Sequence, residues 1–118
     1  MRGRFLSILA LSIAFPALAQ PGPDPAKTYA ENCARCHQLD GKGLEGAYPG
    51  LAGGRITNGP TPAAVRMLLD GKGEMPAFRD RLTDEQMAAA LSYTRTHWGN
   101  MAGPVPVADF ARVRSGRK

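Results

Sequence analysis

The sequence predicts a small all-α domain of three to four helices, and three observations carry that reading. Helix-start signals stand at Asp24-Pro25, Thr61-Pro62 and Thr83-Asp84-Glu85-Gln86, each followed by apolar residues at three- and four-residue spacings. No segment shows the alternating pattern of a half-buried strand. The 118 residues hold 14 Gly and 10 Pro, which leaves room for one loop-rich domain and not two.

The first nineteen residues read as a leader rather than part of that domain. Arg2 and Arg4 form a positive start, residues 5–18 are a charge-free, mostly apolar run, and Ala17-Leu18-Ala19 supplies a small-residue cleavage site. Fourteen residues rise about 21 Å as a helix, too short for a hydrocarbon core of about 30 Å. The expectation is a secretory signal cut after Ala19, an exported mature chain in the periplasm, and no membrane span after cleavage.

Within the mature chain, Asp24 caps a first helix expected from about Pro25 to about His37, with Ala26, Tyr29, Cys33 and Cys36 on one face. Residues 38–60 hold seven glycines and show no helical or alternating pattern. A structureless loop of that length is expected only if it wraps something that substitutes for a protein core. Thr61-Pro62 opens a second helix with Val65, Leu68 and Leu69 as its buried stripe and Gly71 as its stop. A loop bearing Gly73, Met75 and Pro76 follows. The capping box at Thr83 starts a third helix whose face carries Met87, Leu91, Thr94 and Trp98, ended by Gly99. Residues 104–118 read as a Pro-containing basic tail with one helical turn around Phe110, behind a main domain at 20–103.

The chemistry is concentrated in Cys33-Ala34-Arg35-Cys36-His37. Two thiols one helical turn apart match addition to the two vinyl groups of a haem, and the adjacent His37 is placed to ligate the iron. One covalently bound haem c is therefore the expected cofactor, and it also explains the small core and the long glycine-rich loop. The competing uses are weaker. A disulfide would close a tiny loop without needing His37, a thioredoxin-like dithiol wants strands, and zinc would have to recruit His97.

The second axial ligand decides what such a haem does. Met67 and Met87 fall inside helices, where packing is the ordinary role of methionine, and Met101 follows the last helix. Met75 stands in a loop between Gly73 and Pro76, where a side chain is presented at a fixed angle. His97 is the rival, at a helix end that suits a cation.

Taken together these segments resemble the class I c-type cytochromes, small mono-haem electron carriers. The resemblance covers about residues 24–103. It rests on Cys33-Ala34-Arg35-Cys36-His37, Gly41-Lys42-Gly43, Tyr48-Pro49-Gly50-Leu51, Gly71-Lys72-Gly73-Glu74-Met75-Pro76-Ala77-Phe78, and the helix bearing Leu91, Tyr93 and Trp98. It implies a cytochrome c-like fold wrapped around the haem, with Met75 as sixth ligand and the Pro49 carbonyl accepting a hydrogen bond from His37. It implies too that the first and last helices cross near Tyr29 and Tyr93, and that Arg55 faces a haem propionate. The family usually has a glycine seven or eight residues before the first cysteine, where this chain has Ala26 and Pro25.

The functional expectation is a periplasmic mono-haem carrier passing single electrons between redox partner proteins, not an enzyme. The alternatives are a cytochrome subunit of a larger dehydrogenase or oxidase, with the basic tail as its docking element, and a ligand-binding or peroxidatic haem protein. Charge gives little further direction. The net charge is +5 and the pI about 9.7, yet residues 20–111 carry nine basic and ten acidic groups. The basicity belongs to the two ends, and no clustered patch supports nucleic-acid binding. Lys42, Lys72, Arg79 and Arg81 are candidates to ring an exposed haem edge and steer an acidic partner.

Overall fold

Asp24 takes an extended conformation and its carboxylate accepts from the Lys27 N–H at 2.8 Å, which starts the first helix as its N-cap. The computed structural model describes residues 11–116. Among these it holds α1 (Pro25–Asn32), α2 (Ala34–His37), α3 (Thr61–Asp70), α4 (Asp84–Thr96) and α5 (Ala108–Arg114), with two isolated β-bridges and no strand. Arg2, Arg4, the start of the expected leader, Arg117 and Lys118 lie outside the described residues. Residues 11–23 have no secondary structure and are exposed, and no described helix is long and apolar enough to cross a membrane.

Five helices replace the three or four expected, for two physical reasons. The first helix bends at Cys33 (φ −124°, ψ −38°), where the Asn32 side chain donates back to the Thr28 carbonyl at 2.9 Å. The chain nevertheless continues, because the Cys33 carbonyl accepts from the Cys36 and His37 N–H groups at 3.2 and 3.0 Å. At the other end, the turn expected around Phe110 extends to seven residues because Phe110 is fully buried.

Other boundaries move by a residue or two. Pro60, not Thr61, occupies the N-cap of α3, without a side-chain hydrogen bond. The capping box of α4 forms both ways, Thr83 Oγ1 accepting from Gln86 N–H at 3.1 Å and Gln86 Oε1 from Thr83 N–H at 2.9 Å. That helix ends at Thr96, three residues before Gly99. Trp98 then takes a positive φ of 54°, and its ring leaves the α4 face to lie against Gly41.

Two packing units result. On one side α1 packs on α4, with Tyr29 and Tyr93 ring centroids 5.2 Å apart and Trp98 5.1 Å from Tyr29. Ala26 is exposed, so the missing family glycine does not bear on this crossing. On the other side α3, α4 and α5 enclose a core of Val65, Leu69, Phe78, Met87, Leu91, Val105 and Phe110. Val105 and Phe110 belong to the segment read from sequence as a tail. Between the two units, residues 38–60 form turns with a single bridge from Leu44 to Tyr48.

Candidate functional site

A cleft opens where these units meet the long loop. Its inner part, about 300 Å³, is walled by Leu51, Ala64, Leu68, Phe78, Leu82 and Leu91, and its outer part, about 550 Å³, is lined by Cys36, Tyr48, Lys72 and Pro76. Cys33, His37, Pro49, Met67, Met75 and Phe78 line both parts, so the two form one continuous space.

The signature residues converge there from the bend at Cys33. The two cysteines are half-buried, unpaired and on the cleft wall. Burial holds the Cys33 thiol protonated, its pKa pushed up to about 11, with the neighbouring Cys36 adding to the effect. His37 is buried, and its Nδ1 lies 2.8 Å from the Pro49 carbonyl. A carbonyl only accepts, so Nδ1 carries the proton and Nε2 is the basic nitrogen of the neutral ring. Gly43, with φ +67°, makes this approach possible, since a Cβ there would meet the Tyr48 carbonyl and the Pro49 backbone.

Met75 comes from a tight loop in which Lys72 and Met75 exchange backbone hydrogen bonds of 3.1 and 3.0 Å. Gly71 (φ +66°) lies under that loop, and a Cβ there would run into the Met75 carbonyl. Arg55 lines the inner cleft and is exposed. The rival ligands lie elsewhere. His97 is exposed, stacks on Tyr93 with centroids 3.8 Å apart, and donates from Nδ1 to the Tyr93 carbonyl at 2.9 Å. Met101 is exposed on the surface. Of the four basic residues expected around the opening, Lys72 lines the cleft, while Arg79 is held by Asp70 at 2.7 Å.

Three contributors were not read from sequence. Met67 shares the cleft wall with Met75; its place three residues after Ala64 on α3 is the signal that it faces the same way. Asn100 ties the loop to α4, accepting from the Gly53 N–H at 2.8 Å and donating to the Leu51 and Thr94 carbonyls at 2.9 and 2.7 Å. Arg95 is buried although charged, and its place one turn after Leu91 on the inner face of α4 marks it.

The cleft fits a haem: an apolar space for the macrocycle, two free thiols on its rim, an oriented imidazole and thioethers on its wall. Among the described residues no cluster of three or more His, Cys, Asp or Glu side chains offers a separate metal site. Fold and cleft together define a small c-type cytochrome.

Comparison with known proteins agrees. The chain belongs to the cytochrome family described as "Cytochrome C oxidase, cbb3-type, subunit III", whose profile matches residues 20–93. It is 38% identical over 100 residues to cytochrome c-552 of Thermus thermophilus, covering 71% of this chain and 65% of that protein. It is 35% identical over 103 residues to the cytochrome c subunit of the quinone alcohol dehydrogenase of Gluconobacter oxydans, covering 76% of this chain. The chain spans 22% of that subunit's length. The crystal structure of cytochrome c6 from the diatom Phaeodactylum tricornutum superposes with a TM-score of 0.52 at 26% identity, over 63% of this chain and 90% of that one. The chain is thus an electron-transfer cytochrome carrying covalently attached haem c.

Proposed function

We propose that this chain is a periplasmic one-electron carrier, rather than an enzyme, with His37 and Met75 as the axial ligands of one haem c. When bound, the haem supplies the one-electron ferric–ferrous couple. Cys33 and Cys36 hold it by thioether links. His37 offers Nε2 to the iron because Nδ1–H is committed to Pro49, and Met75 offers a thioether from the opposite loop. Leu51, Leu68, Phe78 and Leu91 line the cleft and would keep water from the ring, and Arg55, also on its wall, would pair with a propionate. A thioether ligand and a dry pocket both favour the reduced state. The observation that supports the reading is the 2.8 Å contact between His37 Nδ1 and the Pro49 carbonyl, which orients the imidazole and leaves Nε2 for another partner.

The leader reading makes residues 1–19 an export signal and residues 20–103 the haem unit, with 104–118 a Pro-containing basic tail. The test is the optical spectrum of the exported, dithionite-reduced protein before and after carbon monoxide. Sharp low-spin bands unmoved by the gas support a six-coordinate carrier. A shifted Soret band supports a ligand-binding or peroxidatic haem, and absence of haem bands overturns the reading.

A second reading is favoured by the dehydrogenase cytochrome subunits among the relatives, including those of fructose dehydrogenase from Gluconobacter japonicus and gluconate 2-dehydrogenase from Pantoea cypripedii. In it the chain serves as the electron-accepting partner of a dehydrogenase. Solution size separates the two, since a free carrier runs as a monomer and a constitutive subunit copurifies with its partner.

A further inference from the structure

Arg95 is 5% exposed, yet no carboxylate lies against it among the described residues; the described ion pairs join other groups. Its guanidinium is satisfied instead by backbone carbonyls from two loops. Nη1 donates to Thr57 at 2.8 Å and Gly59 at 3.0 Å, Nε to Gly103 at 3.0 Å, and Nη2 to Ala102 at 2.9 Å. Hydrogen bonds to carbonyl dipoles offset desolvation but leave the formal charge in place. That charge stands directly behind the cleft: its acceptor Thr57 and its neighbour Thr94 both line the inner wall. In a low-dielectric interior, charges act over longer distances than in water.

We propose that Arg95 is a positioning and charge-setting residue for the haem: a fixed buried cation, with no protein carboxylate beside it among the described residues, that holds the loop at 57–59 and favours the ferrous over the ferric state. The proposal rests on the haem electron-transfer reading. Ferric haem carries one more positive charge than ferrous haem, so a buried cation beside the cleft opposes oxidation. A merely structural Arg95 would change stability and leave the redox equilibrium alone, which makes the two roles separable.

The experiment compares Arg95→Gln, Arg95→Lys and Asn58→Ala with the parent, all haem-loaded, by reduced spectrum, urea midpoint and redox titration. Asn58→Ala is the neutral control: it loosens the same loop by removing donations to the Gly54 carbonyl and to Asn100 Oδ1. At a fixed solution poise we expect the ferrous-to-ferric ratio of Arg95→Gln to fall about three- to tenfold, tenfold being about 59 mV for a one-electron couple. Arg95→Lys stays within about twofold of the parent because it keeps the charge. Asn58→Ala lowers the urea midpoint without moving the ratio. An equal fall in the Lys and Gln variants, or in Asn58→Ala, or no fall in Gln, overturns the proposal. If Arg95→Gln does not accumulate, Arg95→Lys decides: a ratio below about half the parent's refutes a charge role. A parent protein without haem bands would instead mark failure of the underlying reading.

Discussion

The Nδ1–H of His37 donates to the Pro49 carbonyl across 2.8 Å, and that bond depends on a residue outside the cleft lining, Gly43. The Gly43 N–H donates to the His37 carbonyl at 3.0 Å, so one loop position supports the histidine from both its backbone and its ring partner.

Gly43→Ala tests this support. Its φ of +67° costs a residue with a Cβ about 1–2 kcal/mol, and the new methyl also meets the Pro49 carbonyl. The expected result is a loss of about 1–2 kcal/mol or more in urea unfolding together with a shifted redox midpoint, because the imidazole loses its fixed orientation. An unchanged midpoint with lowered stability would separate the loop from ligand tuning.

The cleft holds two thioethers, and substitution distinguishes them. Met75→Ala is expected to let the reduced haem bind carbon monoxide, seen as a shifted Soret band. Met67→Leu conserves volume in a half-buried site, so it should cost less than about 1.5 kcal/mol and leave the low-spin spectrum unchanged. Carbon monoxide binding by Met67→Leu, with none by Met75→Ala, would reassign the ligand to α3.

Most of the architecture was legible because its signals are local. The Asp24-Pro25 start and the Thr83–Gln86 capping box each depend on residues within four positions, and both form as read. The Cys33–His37 signature is likewise local. What escaped depends on contacts distant in sequence. The end of α4 at Thr96 follows from Trp98 packing on Gly41, and the fate of Phe110 follows from a core built by α3 and α4. Arg95 was not singled out because its four acceptors lie 7, 8, 36 and 38 residues away.

Tyr29 gives the pH prediction. Burial, with smaller contributions from Tyr93 and Asp40, raises its pKa well above the ordinary 10.0, and its hydroxyl donates to the Gln38 carbonyl at 2.6 Å. A folded-state pKa above the unfolded one means full stability below pH 10, lost as the unfolded chain releases a proton that the folded chain retains. Urea midpoints measured from pH 8 to 11 should therefore fall more steeply above pH 10 in the parent than in Tyr29→Phe. Parallel curves would place the phenol's proton outside the stability of the fold.

Helix α5 lies beyond the span matched by the family profile, and its substitution tests whether it is a passive extension. Phe110 is 0% exposed in a core shared with Phe78 and Met87, so Phe110→Ala should destabilise by about 3–5 kcal/mol. The effect should also reach the Met75 loop. Arg114 donates to the Arg79 carbonyl and to Asp84, both at 3.0 Å, and Phe78, Leu82 and Met75 pack on or within the same core. Loosening α5 therefore removes backing from the segment that presents the thioether. Imidazole or cyanide should displace the sixth ligand of the oxidised haem faster in Phe110→Ala than in the parent, under conditions where both are folded. Equal displacement rates alongside the stability loss would show that α5 buttresses the core without reaching Met75.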